Sequence, residues 1–224
     1  MKPLDVLLAG RVPYRAALAW QRALAEERIS GRRGDLLLLL EHDPVVTLGR
    51  TSDSGNLLQP GGIDVVEVER GGDVTYHGPG QLVGYPILDL SGYRQDLHWY
   101  LRTLEDALIV ALARLDIAAG REPGRTGVWT SGRKIASIGV HVKRWVTWHG
   151  FALNVTTDLA AFDRIVPCGI PGVIMTSIQH ERGAGSGERS ATELWETAVN
   201  AVIAGVEEAF QVSAQRVPAE ATPA

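Results

Sequence analysis

Apolar residues recur along the chain in two periods, one near two and one near three and a half, and together these predict most of its elements. Val6 to Ala9 reads as a short strand. Pro13 then suits the first turn of a helix that runs to Ile29 with Ala17, Trp20 and Leu24 inward, and Gly31 to Gly34 ends it. Leu36 to Glu41 and Val45 to Leu48 read as strands around a His42-Asp43-Pro44 turn. Gly49 to Gly62 has no period and reads as a loop, either a lid over a site or a passive connection. Val65, Val66 and Val68 alternate as a strand does, and so does Leu82 to Leu88. Asp96 can cap a long helix whose Leu97, Leu101, Leu104, Leu108, Leu112 and Leu115 form one core-facing stripe. Gly120 to Gly127 reads as a loop and Val128 to Thr130 as the start of a strand.

Ile135 to Val142 and Trp145 to Val155 form a hairpin turning near Lys143-Arg144, although the turn chemistry there is poor. Asp158 to Phe162 reads as one helical turn, Val166 to Ile178 as extended chain, and Arg182 to Arg189 as a Gly/Ser loop. Ser190 and Glu193 make a capping box for a last helix with Leu194, Val199, Val202, Val206 and Phe210 inward. Strands outnumber helices and hairpins outnumber βαβ units. The expected class is therefore α+β, a mixed, mainly antiparallel sheet with packed helices. No linker divides the chain, so residues 1–217 are expected to form a single catalytic domain, with a disordered tail over 218–224.

Composition narrows the compartment and the partners. A net charge of −4 with a pI near 5.9 argues against nucleic acid as the main partner. Cys168 is the only cysteine, so no internal disulfide is possible, which fits a reducing compartment. The N-terminus lacks the apolar region of a signal peptide, and Leu36 to Leu40 is far too short to span a membrane. The expectation is a cytoplasmic protein with no membrane association. Of 22 basic residues only Lys2, Lys134 and Lys143 are lysine, and a lysine can release a proton where an arginine cannot.

Candidate chemistry centres on Arg70 to Asp89, where Gly71, Gly72, Gly78, Gly80 and Gly84 crowd a stretch that also carries Arg70, Asp73, Thr75, Tyr76, His77 and Gln81. A Gly-rich hairpin with no chemistry is the plain alternative. Cys168 lies between Pro167 and Gly169, a stiff turn that can present a thiol, with the amides from Gly169 onward open to face an oxyanion. An inert buried cysteine is the alternative. Lys134 is followed by the small residues Ala136, Ser137 and Gly139, which leave room along a strand. A cation beside a thiol favours the thiolate, and the alternative is an exposed strand lysine. His42, His77, His98, His141, His149 and His180 show no metal-ligand spacing, and His98 reads as surface. No phosphate-binding loop is present, so neither a cofactor nor a metal is expected.

Taken in order, RGGDVTYHGPGQLVGYP (Arg70 to Pro86), GRKIASIGV (Gly132 to Val140), HGFALNV (His149 to Val155) and PCGI (Pro167 to Ile170) resemble the motifs of the lipoyl(octanoyl) transferases. EHDPVVTLGR (Glu41 to Arg50) and TGVW (Thr126 to Trp129) look like the same family, so the resemblance spans Glu41 to Ile178. It implies the fold of the biotin and lipoate protein ligases. It also implies transfer of an octanoyl group from octanoyl-acyl carrier protein, through a cysteine acyl-thioester, to a lysine of a lipoyl domain, the first step of endogenous protein lipoylation. The implied acceptors are the lipoyl domains of 2-oxoacid dehydrogenase E2 subunits and the glycine cleavage H protein, acted on by a monomer.

Cys168 would match the nucleophile, and Lys134 the residue that holds it as thiolate and serves as acid and base. The substrate pocket would match Arg70, Gly71, Gly72, Asp73, Val74, Thr75, Tyr76 and His77, then Ser137, Ile138 and Gly139, then Gly150, Phe151 and Ala152. Gly71, Gly72, Gly139 and Gly150 would open a slot for the alkyl chain. An acidic carrier would need a local basic patch on this acidic chain, for which Arg121, Arg125, Arg133, Lys143 and Arg144 are candidates. The rival readings are an ATP-dependent ligase on the same fold, a non-catalytic acyl-binding protein, and a cysteine hydrolase pairing Cys168 with His77 or His149.

Overall fold

The computed structural model describes residues 1–59, 61–183 and 190–218. The chain runs β1 (Lys2–Arg11), α1 (Tyr14–Ile29), β2 (Leu36–Glu41), β3 (Val45–Leu48), β4 (Asp64–Glu67), β5 (Val74–His77) and β6 (Gln81–Ile87). It continues through α2 (Leu97–Ala113), β7 (Gly120–Glu122), β8 (Arg125–Thr130), β9 (Arg133–Lys143), β10 (Val146–Asn154), α3 (Ile178–Arg182), α4 (Ala191–Phe210) and β11 (Val212–Val217). Eight strands form one sheet in the order β11-β1-β2-β6-β10-β9-β8-β7, and β4-β3-β5 form a second. In the large sheet β1 runs parallel to β11 and β2, and every pairing from β2 to β7 is antiparallel. The fold is α+β with a mixed, mainly antiparallel sheet, as the pattern predicts.

The leucine run of β2 shows why the sheet is covered on both faces. Leu37 and Leu39 join the core under α2 and α4, whereas Leu36, Leu38 and Leu40 join the core under Ala17, Trp20 and Leu24 of α1. A strand with no polar face is one buried from both sides. The two helices of the first face approach closely at Gly205, where a Cβ would collide with the Ala107 carbonyl. The Asp96 side chain caps α2 by accepting from the Trp99 amide, and the Ser190–Glu193 capping box is formed at α4. Tyr14 and Leu18 of α1 also reach Val45, Val66 and Val68 of the small sheet, so one helix holds both sheets in place.

Several boundaries differ from expectation. β1 is longer than Val6 to Ala9 because it pairs on both edges, and its partner β11 carries too few apolar residues for its sequence to announce a strand. Gly120 to Gly127 is largely a hairpin, β7 to β8, and not a loop. The β9–β10 turn falls at Arg144-Trp145, one residue later than expected. Both residues have positive φ, 52° and 64°, the conformation that a two-residue hairpin turn requires even without glycine. Leu97, placed in the α2 stripe by its spacing, is 43% exposed, and burial begins at Tyr100. Val166 to Ile178 is not simply extended: Val166 to Ile170 makes tight turns closed by the Gly169 and Ile170 amides, with Cys168 and Gly169 at positive φ, and α3 begins at Ile178. The expected Gly/Ser loop and tail fall mostly on residues 184–189 and 219–224, outside the described residues.

Candidate active site

A cavity of about 200 Å³ lies where β5 of the small sheet faces β9 and β10 of the large one. That is below the ~300–1,000 Å³ of a pocket for a drug-sized ligand, so it suits a slender one. Gly72, Gly124, Arg125 and Thr126 line its exposed end, beside the half-buried Cys168 and Ile170. Tyr14, His77, Tyr85 and His149 line its buried end.

Cys168 is set at the mouth by an unusual backbone. Its φ of 58° and ψ of 20° are left-handed, a conformation a non-glycine residue adopts at a cost of about 1–3 kcal/mol. Gly169 follows, also left-handed at φ 65°, and a Cβ there would collide with the Asp73 carboxylate. Asn56 ties this turn down from the Gly49 to Gly62 loop. Its side chain donates to Asp73 Oδ2 at 2.7 Å, and its carbonyl accepts from the Val166 amide at 2.8 Å. That loop therefore braces the cysteine turn. The Gly169 and Ile170 amides are bonded to the Val166 and Pro167 carbonyls inside the turn, so they do not face an oxyanion as its sequence had led us to expect.

Lys134 is not an exposed strand lysine. It is 1% exposed, and its Nζ donates to Cys168 Sγ at 3.0 Å and to the Thr126 carbonyl at 3.0 Å, with the Trp129 ring 5.3 Å away. A buried ammonium without partners would cost several kcal/mol, and a carbonyl, a sulfur and an aromatic face offset that cost. Residue 127 is glycine at a φ of 125°, where an added Cβ would lie 2.6 Å from the Ala136 carbonyl and 2.7 Å from Lys134 Cε. Ser137 Oγ stands 4.0 Å from the same sulfur.

Arg70 is the second buried cation. Its Nη2 donates to the Thr47 carbonyl and hydroxyl, its Nη1 donates to the Gly71 carbonyl, and Nε has no partner. Burial lowers its pKa, opposed by the neighbouring Tyr14 and Cys168 groups. Arginine nonetheless stays protonated at any working pH.

The histidines at the buried end are held neutral. Burial depresses His77 well below its ordinary value, helped by His42 and opposed by its bond to Gln81 Oε1 at 2.8 Å. Burial also lowers His149, against the pull of Glu69, whose Oε1 lies 3.8 Å from Nε2. Glu69 is drawn far below the carboxylate range by His149, then Arg22 and Trp148.

Of the residues expected to form the pocket, Arg70, Gly72, Asp73, Val74, Thr75, His77, Ser137, Ile138, Gly139, Gly150, Phe151 and Ala152 do line the cavity together with Cys168 and Lys134. Gly71 and Tyr76 do not. Gly71 is turned away, its amide bonded to the Val140 carbonyl, and Tyr76 points off the other face of β5 against Phe162. The reason for the glycines also differs. A Cβ at Gly139 would lie 2.9 Å from the Gly71 carbonyl, and one at Gly150 would collide with that of Gly84. They permit close backbone approach around the cavity and do not themselves make the slot. Sequence reasoning missed Tyr14, Tyr85, Gly124, Arg125, Thr126, His149 and Ile170 as lining residues. Tyr85, Thr126, His149 and Ile170 lie within the motifs that carry the resemblance. Tyr14 carried no signal, because only the packing of α1 brings it there.

The expected basic patch is mostly spent in ion pairs. Arg121 binds Glu105 and Asp106, Arg133 binds Glu181, and Lys143 binds Glu26, leaving Arg125 beside the mouth and the exposed Arg144 in the β9–β10 turn. Among the described residues no group of three or more His, Cys, Asp or Glu side chains could hold a metal, and no helix is long and apolar enough to cross a membrane.

A half-buried thiol beside a buried ammonium, at the mouth of a narrow and largely apolar cavity, is the equipment of an acyl-handling enzyme. The fold is similar to that of solved lipoate protein ligases. A crystal structure of lipoate-protein ligase A bound with ATP superposes with a TM-score of 0.78 at 17% identity, over 99% of this chain and 91% of that one. The bipartite lipoate protein ligase from Thermoplasma acidophilum superposes at 0.76, also at 17% identity, over 99% and 89%.

Sequence comparison is more specific. The family model for the lipoyl protein ligase A/B catalytic domain matches residues 13–205. The octanoyltransferase of Gloeobacter violaceus is 60% identical over 172 residues, 76% of this chain and 78% of that protein. That of Geobacter sulfurreducens is 55% identical over 183 residues, 82% and 76% respectively. The chain belongs to the lipoyl(octanoyl) transferases, a family of acyltransferases.

Proposed function

We propose that this protein takes an octanoyl group from octanoyl-acyl carrier protein onto Cys168 and passes it to a lysine of a lipoyl domain. The observation that carries the reading is the 3.0 Å contact between Lys134 Nζ and Cys168 Sγ at the mouth of a cavity narrow enough for an alkyl chain. The thiolate attacks the donor's thioester carbonyl, the new C–S bond forms, the donor's C–S bond breaks, and the carrier's sulfur leaves as a thiol with the proton that the Lys134 ammonium gives up, which leaves Lys134 neutral for the second step. One thioester replaces another, so no ATP is needed. The acceptor's ε-amine then attacks the acyl-enzyme, an amide forms, and the Cys168 sulfur leaves. The amine must lose a proton in this step, and Lys134 is placed to exchange it. The alkyl chain lies along Gly72, Val74, Ile138 and Ala152 toward Tyr14 and Tyr85.

The acceptors are lipoyl domains of 2-oxoacid dehydrogenase E2 subunits and the glycine cleavage H protein, with residues 1–217 acting as one catalytic domain. A reduced cysteine nucleophile suits the cytoplasm. The test is intact mass after incubation with octanoyl-acyl carrier protein alone, followed by peptide mapping. An octanoyl adduct on Cys168, labile to hydroxylamine and formed without ATP, supports the reading. An adduct elsewhere, or one that requires ATP, favours a ligase.

A further inference from the structure

The inner face of α2 carries one charged residue among its buried positions. Glu105 is fully buried beside Leu104 and Leu108, on a helix packed against the sheet. A buried carboxylate is costlier to fold than a leucine at the same place, so its partners should explain it. Two are arginines: Arg102 Nη1 at 2.6 Å and Arg121 Nε at 2.8 Å, both on Oε2. The third is the Gly127 amide, which donates to Oε1 at 3.0 Å.

That amide is one half of a peptide group whose other half is in the active site. The carbonyl of the Thr126–Gly127 peptide is Thr126 O, which accepts from Lys134 Nζ at 3.0 Å, and the same Nζ reaches Cys168 Sγ at 3.0 Å. In a planar trans peptide the N–H and C=O point in opposite directions, so fixing one fixes the other. A carboxylate on the N–H also strengthens the carbonyl as an acceptor, since bonds in a chain polarise one another. Residue 127 must be glycine for this, both for its φ of 125° and because a Cβ would meet Lys134.

We propose that Glu105 is a positioning residue for the Cys168–Lys134 pair: through the Thr126–Gly127 peptide it aims and polarises the carbonyl that holds the Lys134 ammonium against the sulfur. Glutamine cannot take over this task. Its oxygen would turn to the two arginines, leaving its NH2 against the Gly127 N–H, donor to donor.

The test uses Glu105→Gln in the full chain. A charge-assisted bond lost from the relay should slow Cys168 alkylation by iodoacetamide roughly tenfold or more, at temperatures where the protein is folded. The kcat for octanoyl transfer should fall by a similar factor with the donor KM within about twofold, because Glu105 does not touch the cavity. A purely structural glutamate would lower Tm and leave the alkylation rate of the folded protein unchanged, and that result overturns the proposal.

Should Glu105→Gln fail to fold, the Lys134→Met protein decides. Removing the ammonium from the carbonyl side weakens the polarisation, so the Gly127 amide proton should move upfield from its wild-type position in a proton–nitrogen spectrum. An unmoved resonance overturns the proposal. The kcat arm rests on the octanoyl-transfer reading, whereas alkylation and the amide shift do not. Failure of that reading is therefore distinguishable from failure of the relay.

Discussion

Replacing Lys134 by arginine separates the two tasks assigned to it. Arginine keeps a positive charge but releases no proton at a working pH, so it can steady a thiolate and cannot serve as acid and base. Its sequence alone suggests that Lys134→Arg folds normally and keeps a reactive thiol. The packing adds a cost. Lys134 is enclosed, with Gly127 against Cε and the Trp129 ring 5.3 Å from Nζ, so a guanidinium has to push its neighbours aside. Overpacking of this kind costs about 1–3 kcal/mol. For a chain of this size each kcal/mol moves Tm by about 2–4 °C, so a fall of roughly 2–12 °C is expected.

The loss in rate is larger and separable. General acid–base catalysis contributes about 10²–10⁴-fold, or about 3–5 kcal/mol on the barrier. A fold stable by ~5–15 kcal/mol stays mostly folded after losing 1–3, so unfolding does not account for such a drop. The assay pairs octanoyl transfer to a lipoyl domain with thermal unfolding and iodoacetamide alkylation of Cys168. Transfer by Lys134→Arg within tenfold of wild type would refute the proton-exchange role and leave electrostatics alone.

Two further outcomes follow from groups at and just behind the buried end of the cavity, where His42 packs against Tyr14 and His77. Burial holds His42 neutral, its pKa lowered to about 4, and His77 is lowered in the same direction. The native state thus refuses protons that the unfolded chain accepts below about 6.5, and stability is complete above that pH and lost as pH falls toward the folded value. Between pH 6.5 and 5 this amounts to about 2 kcal/mol from His42 alone, and a denaturation midpoint that is flat across that window contradicts it. Tyr14 closes the buried end, its ring stacked on His77 at 5.7 Å, so Tyr14→Ala should raise the rate with decanoyl relative to octanoyl donors, at a stability cost of about 3–5 kcal/mol. An unchanged chain-length ratio would mean the acyl chain does not reach Tyr14.

The parts of the molecule legible in its sequence are those in which a local pattern and a tertiary contact agree. The β2 leucines, the α2 stripe from Leu104 onward and the Ser190–Glu193 cap each carry their own signal, and the packing repeats it. What escaped depends on long-range partners. β11 is a strand because β1 offers it an edge, and Tyr14 meets the cavity because α1 bridges two sheets. Left-handed residues escaped for a different reason. Arg144, Trp145 and Cys168 all have positive φ without being Gly, Asn, Asp or His, so residue type gave no warning. At the site, Cys168 and Lys134 stood out in the sequence and the fold brings their side chains to 3.0 Å, whereas the burial of the lysine and the internal bonding of the turn amides were not readable.

That internal bonding bears on how the chemistry is stabilised. With the Gly169 and Ile170 amides committed to Val166 and Pro167, help for negative charge has to come from elsewhere in the cavity lining. Lys134, Arg70 and Arg125 supply cations against the single carboxylate of Asp73, and the buried His77 and His149 add no charge. On the proposed reading the thiolate and the tetrahedral intermediates of both steps are anions, so this excess of fixed positive charge lowers each of them. The same field acts on the incoming acceptor. A lysine approaching as an ammonium meets like charge and gives up its proton more readily, which is the form that attacks a thioester. One charge arrangement thereby serves both halves of the transfer, and it accounts for burying Arg70 with carbonyl and hydroxyl partners in place of a carboxylate that would have cancelled it.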